Sequence, residues 1–234
     1  MRAVILCGGK GTRLRPYTIV LPKPLMPISE YPILEIIVRQ LAHHGFDRVT
    51  MAVNHHAKII QAFFGNGDSW GIKIDYSIES HPLSTMGPLH LIKDLPDNFL
   101  VMNGDILTDL NFQDFMAYHT NNTNNFTVAA FERVLKSEYG VLRVNEFDAL
   151  CGFEEKPEFR FDVSMGIYAI NRSILQYIPV NQPYGFDNLM FDLLADATSV
   201  SIMKYSGYWL DIGRHEDYQQ AIDEFDAMKG RFLK

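Results

Sequence analysis

Short apolar runs alternate along this chain with stretches of helical period. Ala3 to Leu6 is unbroken apolar and is closed by Gly8 and Gly9, the pattern of a strand buried on both faces. Ile33, Leu34, Ile37, Val38 and Leu41 recur at helical spacing, with Pro32 beside the first turn and Gly45 beyond the last, which predicts a helix. Val49 to Val53 predicts the next strand. Ile72, Ile74, Tyr76 and Ile78 alternate with Lys73, Asp75 and Ser77, as in a strand with one wetter face. Phe99 to Met102 is another buried run and ends at Asn103-Gly104-Asp105.

In the second half, Phe126 to Phe131, Tyr139 to Val144 and Gly166 to Ile170 predict strands. Phe186, Leu189, Met190, Leu193, Leu194 and Ala197 form a helical stripe; Val200 to Tyr205 predicts a late strand and Glu216 to Met228 a closing helix. The polar tract Thr120 to Asn125 reads as a turn. Strand–helix–strand alternation predicts an α/β domain, a mostly parallel sheet with helices on both faces. Ligands in such sheets sit beyond the carboxyl ends of the strands, where Gly8-Gly9 and Asn103-Gly104-Asp105 both fall.

Composition narrows the function. A chain of 234 residues suits one domain, and 47% hydrophobic with 21% charged residues excludes wholesale disorder. The net charge of −7 argues against non-specific binding to nucleic acid or to an anionic membrane. No run approaches the roughly 20 apolar residues of a membrane span, and the opening apolar run is too short for a secretory core. A cytoplasmic protein is expected. Cys7 and Cys151 give neither a disulfide framework nor metal-ligand spacing, so both are expected as small core residues in a reducing compartment. His43-His44 and His55-His56 lack carboxylate or cysteine partners at ligand spacing and are expected at the surface.

The segment Cys7-Gly8-Gly9-Lys10-Gly11-Thr12-Arg13-Leu14-Arg15-Pro16 carries the strongest chemical signal. Glycines directly after a strand let backbone N–H groups approach phosphate oxygens, and Arg13 suits a polyphosphate. Leu14 stands where the dinucleotide fingerprint needs its third glycine, and Lys10 is followed by Gly11 rather than by Ser or Thr, so neither that fingerprint nor a P-loop is present. A nicotinamide-linked dehydrogenase loses its support with Leu14. In Pro22-Lys23-Pro24, flanking prolines hold Lys23 extended and reduce the entropy lost in fixing it.

Taken together, Gly8 to Leu14 and Pro22-Lys23-Pro24-Leu25 resemble the signature of the sugar-1-phosphate nucleotidylyltransferases. Further marks of that family follow in order: Pro82 to Gly87, Asn103-Gly104-Asp105, Tyr139-Gly140-Val141, Glu155-Lys156-Pro157, Gly166-Ile167-Tyr168 and Trp209-Leu210-Asp211-Ile212-Gly213. The resemblance implies a single catalytic domain over 1–234, doubly wound and Rossmann-like, with a small sugar-binding β subregion. About 1–110 would bind nucleotide and about 111–234 the sugar phosphate. It also implies the reaction, an NTP and a sugar 1-phosphate giving an NDP-sugar and pyrophosphate.

By the same resemblance, Arg13, Lys23 and Asp105 are catalytic, and Asp105 and Asp211 hold Mg²⁺. Leu6, Gly8, Gly9, Gly11, Thr12, Arg13, Glu79, Pro82, Thr85, Gly87, Asn103 and Gly104 would bind the nucleotide. Gly140, Glu155, Lys156, Ser164 and Gly166 would bind the sugar phosphate, Lys156 through the phosphate and Glu155 through sugar hydroxyls, with Gly140 leaving room for the ring. A catalytically silent relative that only binds nucleotide-sugar would be expected to lose Arg13, Lys23, Asp105 or Asp211, and all four are present.

The run Glu79 to Leu89 is most similar to the mannose-1-phosphate guanylyltransferases, which makes GTP and mannose 1-phosphate, or a related hexose or heptose 1-phosphate, the expected substrates. Ser84 and Met86 replace a glycine and an alanine of that pattern and are expected to add bulk where base or sugar passes. Ser164 replaces an asparagine. Cytidylyl, uridylyl and thymidylyl transfer to glucose 1-phosphate or another small phosphate stay open. The sequence ends soon after the closing helix, a length that also suits members making GDP-heptose or CDP-linked products. A homo-oligomer is compatible with the family, and no exposed apolar stripe in the sequence picks an interface.

Overall fold

Parallel strands of largely apolar sequence build the centre of the molecule. The computed structural model describes residues 1–54 and 56–233. His55 lies outside them. Strand β1 (Arg2–Leu6) pairs in parallel with β4 (Arg48–Val53) on one side and β6 (Asn98–Asn103) on the other. Between β1 and β4 lie a small hairpin, β2 (Pro27–Ile28) with β3 (Tyr31–Pro32), and helix α1 (Ile33–His43). Helix α2 (Ala57–Phe64) leads to the edge strand β5 (Lys73–Ile78). Ala3, Val4 and Ile5 are wholly buried, as a strand covered on both faces requires.

After β6 come β7 (Ile106–Thr108), α3 (Phe112–Asn121) and β8 (Phe126–Lys136). A hairpin of β9 (Val141–Val144) and β10 (Leu150–Glu154) precedes β11 (Glu158–Asn171). Helix α4 (Phe186–Ala195), β12 (Val200–Tyr205), β13 (Trp209–Asp211) and α5 (His215–Phe232) complete the chain. The main sheet has seven strands in the order β12-β8-β11-β6-β1-β4-β5, all parallel except β11, which runs against both neighbours. One sheet therefore threads both halves of the chain. It is a doubly wound, Rossmann-like mixed α/β fold.

Two cores cover the two faces. On one, Leu34, Ile37 and Val38 of α1 pack with Phe112 and Phe115 of α3 and Phe225 of α5. On the other, Phe99, Val101 and Tyr168 of the sheet pack against Leu189 and Leu193 of α4. Successive strands turn opposite ways from β1: the chain goes from β1 out to β4 and β5, then crosses back to β6. The crevice where ligands bind in such sheets opens there, at the carboxyl ends of β1 and β6.

Several local expectations change. The α4 stripe is narrower than its periodicity suggests, because Leu194 lies exposed and the helix ends at Ala195. Strands β8 and β11 run well past the predicted ends, since their outer halves pair with each other beyond the sheet. Cys7 is buried, but Cys151 is exposed on β10 and is no core residue, because this hairpin has solvent on both sides. No helix among the described residues is long and apolar enough to cross a membrane.

His119 of α3 is fully buried, its ring nitrogens meeting Thr127 Oγ1 at 2.8 Å and Asn98 Oδ1 at 3.1 Å. Burial lowers its pKa below the ordinary 6.5. The unfolded chain therefore takes up a proton that the fold refuses, so stability is full above about pH 6.5 and falls below it. Melting temperature should drop between pH 7.5 and 5.5, and the slope should flatten in His119→Gln, as thermal denaturation across that range would show.

Candidate active site

At the crevice, the loop after β1 and the loop after β6 are tied together by a hydrogen bond from Gly104 N to Leu6 O, 3.0 Å long. Around this tie lies a cavity of about 400 Å³. Its wall brings together Leu6, Gly8, Gly9, Lys23, Glu79, Pro82, Thr85, Asn103, Gly104 and Asp105, all expected from the sequence. Gly11, Thr12, Arg13 and Gly87 lie outside that wall. Thr18 Oγ1 donates to Gly11 O at 2.7 Å and so closes the glycine loop on itself. Gly87 faces the chain at 182–184, and its N–H reaches Tyr184 O at 3.1 Å.

Lys23 is not extended as expected but opens a single helical turn, Lys23–Leu25, pinned by Leu25 N to Pro22 O at 2.8 Å and by burial of Leu25 and Met26. Its ammonium donates to Asp105 Oδ2. The other oxygen, Asp105 Oδ1, is buried and has no hydrogen-bond partner among the described residues. A buried acceptor left unsatisfied costs about 1–3 kcal/mol, more when charged, so the site is built to receive something there.

Asp211 stands beside it. Strand β13 pairs antiparallel with β7, aligning Asp211 with Ile106, and Ile212 N donates to Asp105 O at 3.1 Å. Burial raises the Asp211 carboxyl above its ordinary 3.8 and the Asp105 charge raises it further, while Lys23 and Arg13 pull it down. Arg13 comes near as well: a side chain at Gly213 would meet its guanidinium at 3.4 Å. Two carboxylates and two cations thus share one small region. Among the described residues no third His, Cys, Asp or Glu joins the carboxylates. The donor set nevertheless fits a hard divalent cation, because Mg²⁺ typically takes one or two carboxylates and fills its shell with water and phosphate oxygens.

Glu79 follows β5 and is buried, its Oε2 accepting from Leu83 N at 3.0 Å. Burial raises its pKa, opposed by that N–H, by the Asn54 side chain and by His81. Gly8 makes this placement possible, since a Cβ there would stand 2.8 Å from Glu79 Oε1. Lys10, Asn54 and Ser84 also line the cavity, beyond the ligands expected from the sequence. Asn54 follows directly on the Val49–Val53 apolar run, a strand-end position that marks it in the sequence.

The segment 82–87 corrects one expectation. Ser84 faces the cavity, whereas Met86 is fully buried among Val4, Leu89 and Phe99 and adds no bulk to the passage. Thr85 Oγ1 accepts from Phe186 N at 2.8 Å, anchoring this loop on the start of α4.

The residues expected at the sugar phosphate form a looser set. A Cβ at Gly140 would meet the Phe153 ring at 2.6 Å and Glu155 Oε2 at 3.1 Å, so Gly140 and Glu155 are neighbours. The ring of Phe153 already occupies part of the space that glycine leaves. Ser164 Oγ accepts from Gly166 N at 3.2 Å and donates to the Tyr168 hydroxyl at 3.3 Å. Gly166 has φ 72°, and a side chain there would strike Asn103 Nδ2 at 2.7 Å, which joins this set to the cavity. Burial lifts the Tyr168 hydroxyl to about 12, and the Asp211 charge adds to the shift. Lys156 sits in the exposed turn between β10 and β11 with φ 44°, a left-handed conformation unusual for its type.

Residues 2–227 match the family described as Nucleotidyl transferase. The chain belongs to that family. It is 34% identical over 224 residues to the mannose-1-phosphate guanylyltransferase catalytic subunit beta of Drosophila pseudoobscura pseudoobscura, covering 93% of this chain and 60% of the relative. It is 32% identical over 242 residues to the UTP–glucose-1-phosphate uridylyltransferase of Synechocystis sp., covering 95% and 62%. The chain thus spans about three-fifths of the length of these curated relatives. Among solved structures, HddC from Yersinia pseudotuberculosis superimposes with a TM-score of 0.74 and 26% identity, covering 96% of this chain and 99% of that one.

Ser84 has φ 65°, in the left-handed region that costs an L-residue about 1–2 kcal/mol and glycine almost nothing. Ser84→Gly should stabilise the protein by about 0.5–1 kcal/mol after the added freedom of the unfolded chain is subtracted. A denaturant titration checks the value.

Proposed function

We propose that this nucleotidyl transferase couples GTP to mannose 1-phosphate, or to a related hexose or heptose 1-phosphate, releasing pyrophosphate. The observation that carries the choice of base is the buried Glu79 carboxylate in the cavity wall. An ionised carboxylate only accepts hydrogen bonds. Guanine presents two adjacent donors, N1–H and the 2-amino group, which match its two oxygens. Uracil and thymine present one N–H between two carbonyls, and adenine and cytosine each set a ring acceptor beside their amino group. In a two-point contact every base but guanine would set acceptor against acceptor. Relatives that are mannose-1-phosphate guanylyltransferases, and the Yersinia protein complexed with GMP-PN, support the same base. The uridylyltransferase relative favours uracil, and Glu79 weighs against it.

In the reaction, a sugar-phosphate oxygen attacks the α-phosphorus, and the bond from that phosphorus to the bridging oxygen of pyrophosphate breaks. The attacking oxygen is already ionised, so no general base is needed. Catalysis rests on alignment and on cations facing the developing charge. The glycine loop would offer backbone N–H groups to the triphosphate, Arg13 would grip the departing pyrophosphate, and Lys23 would neutralise charge at the reacting centre. Asp105 and Asp211 would hold Mg²⁺, which supplies charge neutralisation and orientation of the phosphates. On the acceptor side, Lys156 would take the sugar phosphate, Glu155 the sugar hydroxyls, and Ser164 with Gly166 the floor beside Asn103.

Glu79→Gln exchanges one acceptor for a donor. It should cut kcat/KM for GTP by about 10–100-fold, as expected for losing one good bidentate pairing, and raise the relative use of UTP. An unchanged GTP preference in steady-state kinetics contradicts the base assignment. Asp105→Asn should lower turnover by about 10²–10³-fold and lower the melting temperature without loss of the folded circular dichroism, since the buried Lys23 ammonium loses its charged partner. Lys156→Ala should raise KM for the sugar phosphate and leave KM for the NTP unchanged.

A further inference from the structure

Strand β13 is three residues long and, among the described residues, pairs only with β7, which is equally short. So little ladder does not fix its own register. A slip of one residue would turn the Asp211 side chain to the opposite face, away from Asp105. A further contact has to pin β13 in place.

Asp109, the residue after β7, supplies it. Its Oδ1 accepts from Tyr208 N at 2.7 Å and from the Tyr205 hydroxyl, and its Oδ2 accepts from Arg231 Nε at 2.8 Å and from Arg231 Nη2. Tyr208 immediately precedes β13, and Thr108 Oγ1 donates to its carbonyl at 2.7 Å. The turn from β12 to β13 is drawn closely round the carboxylate, since a Cβ at Gly207 would stand 2.8 Å from Asp109 Oδ1. The Asp109 side chain is only 15% exposed. Burial alone would raise its pKa, yet Tyr205, Tyr208 N and Arg231 together hold it below the ordinary 3.8.

Arg231 reaches Asp109 from the last turn of α5, 122 positions along the chain. The same helix is fastened to the start of β13 twice more. The Tyr208 hydroxyl donates to Glu224 Oε2 at 2.8 Å, and the rings of Tyr208 and Phe232 meet edge to face with centroids 5.3 Å apart. Asp109 and Arg231 thus form a clamp at one end of the β7–β13 ladder, and Asp105 and Asp211 stand at the other.

We propose that Asp109 and Arg231 are positioning residues for the metal pair, setting where Asp211 stands against Asp105 and so how tightly a divalent cation is held. Neither touches the reacting atoms. Mg²⁺ demands near-octahedral geometry, so a displacement of about 0.5 Å in one carboxylate is felt as lost affinity. Groups that stand behind metal ligands typically cost about 10–100-fold in affinity when removed. The inference rests on the reading of Asp105 and Asp211 as metal ligands.

The test titrates Mn²⁺, as a stand-in for Mg²⁺, into the substrate-free chain and reads the free ion by electron paramagnetic resonance, with Asp211→Asn as the control. Arg231→Ala should weaken Mn²⁺ binding by about tenfold, and Arg231→Lys, which keeps the cation, should recover most of it. The Mg²⁺ concentration for half-maximal pyrophosphate release should rise by the same factor in Arg231→Ala, with kcat at saturating Mg²⁺ and KM for the sugar phosphate unchanged. Should Arg231→Ala lose the folded circular dichroism, Asp109→Asn, which keeps an acceptor for Tyr208 N, takes its place with the same expected loss. A folded variant that melts lower but binds Mn²⁺ as wild type does overturns the proposal, leaving the clamp a part in stability alone. A wild type that binds no more Mn²⁺ than Asp211→Asn overturns the metal reading itself, and the proposal falls with it.

Discussion

Asp105 and Asp211 are about a hundred positions apart in sequence, and three residues of antiparallel ladder hold them side by side. Pairing of β13 with β7 and the Ile212 N to Asp105 O bond set their spacing. The ladder is itself anchored by Thr108 Oγ1 donating to Tyr208 O and by Asp109, which accepts from Tyr208 N and Arg231. Burial first, and the neighbouring Asp105 charge second, raise the Asp211 pKa, the cost of holding two carboxylates in a buried place. The cost is tolerable because Lys23 and Arg13 enter the same region. The proposed phosphoryl transfer would give such an arrangement a use.

The remaining features follow from the crevice between β1 and β6. Parallel strands buried on both faces end at one level, so the glycine loop and Asn103-Gly104-Asp105 meet without any contact between them being local in sequence. Glu79 arrives there because β5 extends the same parallel series, with Glu79 N bonded to Val53 O at 2.9 Å. The single antiparallel strand, β11, runs back along β6 and brings Gly166 against Asn103. The proposed nucleotide side and the proposed acceptor side are thereby walls of one structure.

Much of this was legible from residue order. The buried runs Ala3–Leu6, Val49–Val53 and Phe99–Met102 mark their strands because a strand covered twice has no polar face to confuse with a helix. The glycine loop, Lys23 and Asp105 were legible as chemistry. Less so were β10 and the full reach of β8 and β11, where exposed Phe159 and Phe161 alternate with Arg160 and Asp162 in a ribbon that no hydrophobic run announces. Cys151 and Met86 depart from the sequence expectation for one shared reason. Side-chain direction depends on which neighbour a strand or turn meets, and in Met86 that neighbour is the α4 core rather than the cavity. The left-handed backbone of Ser84 and Lys156 is likewise a property of tertiary packing.

The most direct measurement is pyrophosphate release with Mg²⁺, crossing GTP, CTP, UTP, dTTP and ATP with mannose, glucose, heptose and amino-sugar 1-phosphates and phosphocholine. The account predicts release with GTP and a hexose or heptose 1-phosphate, and little with pyrimidine nucleotides. Strong release with UTP or dTTP and weak release with GTP would contradict the role of Glu79. No release with any pair would contradict the catalytic reading of Asp105, Asp211, Lys23 and Arg13.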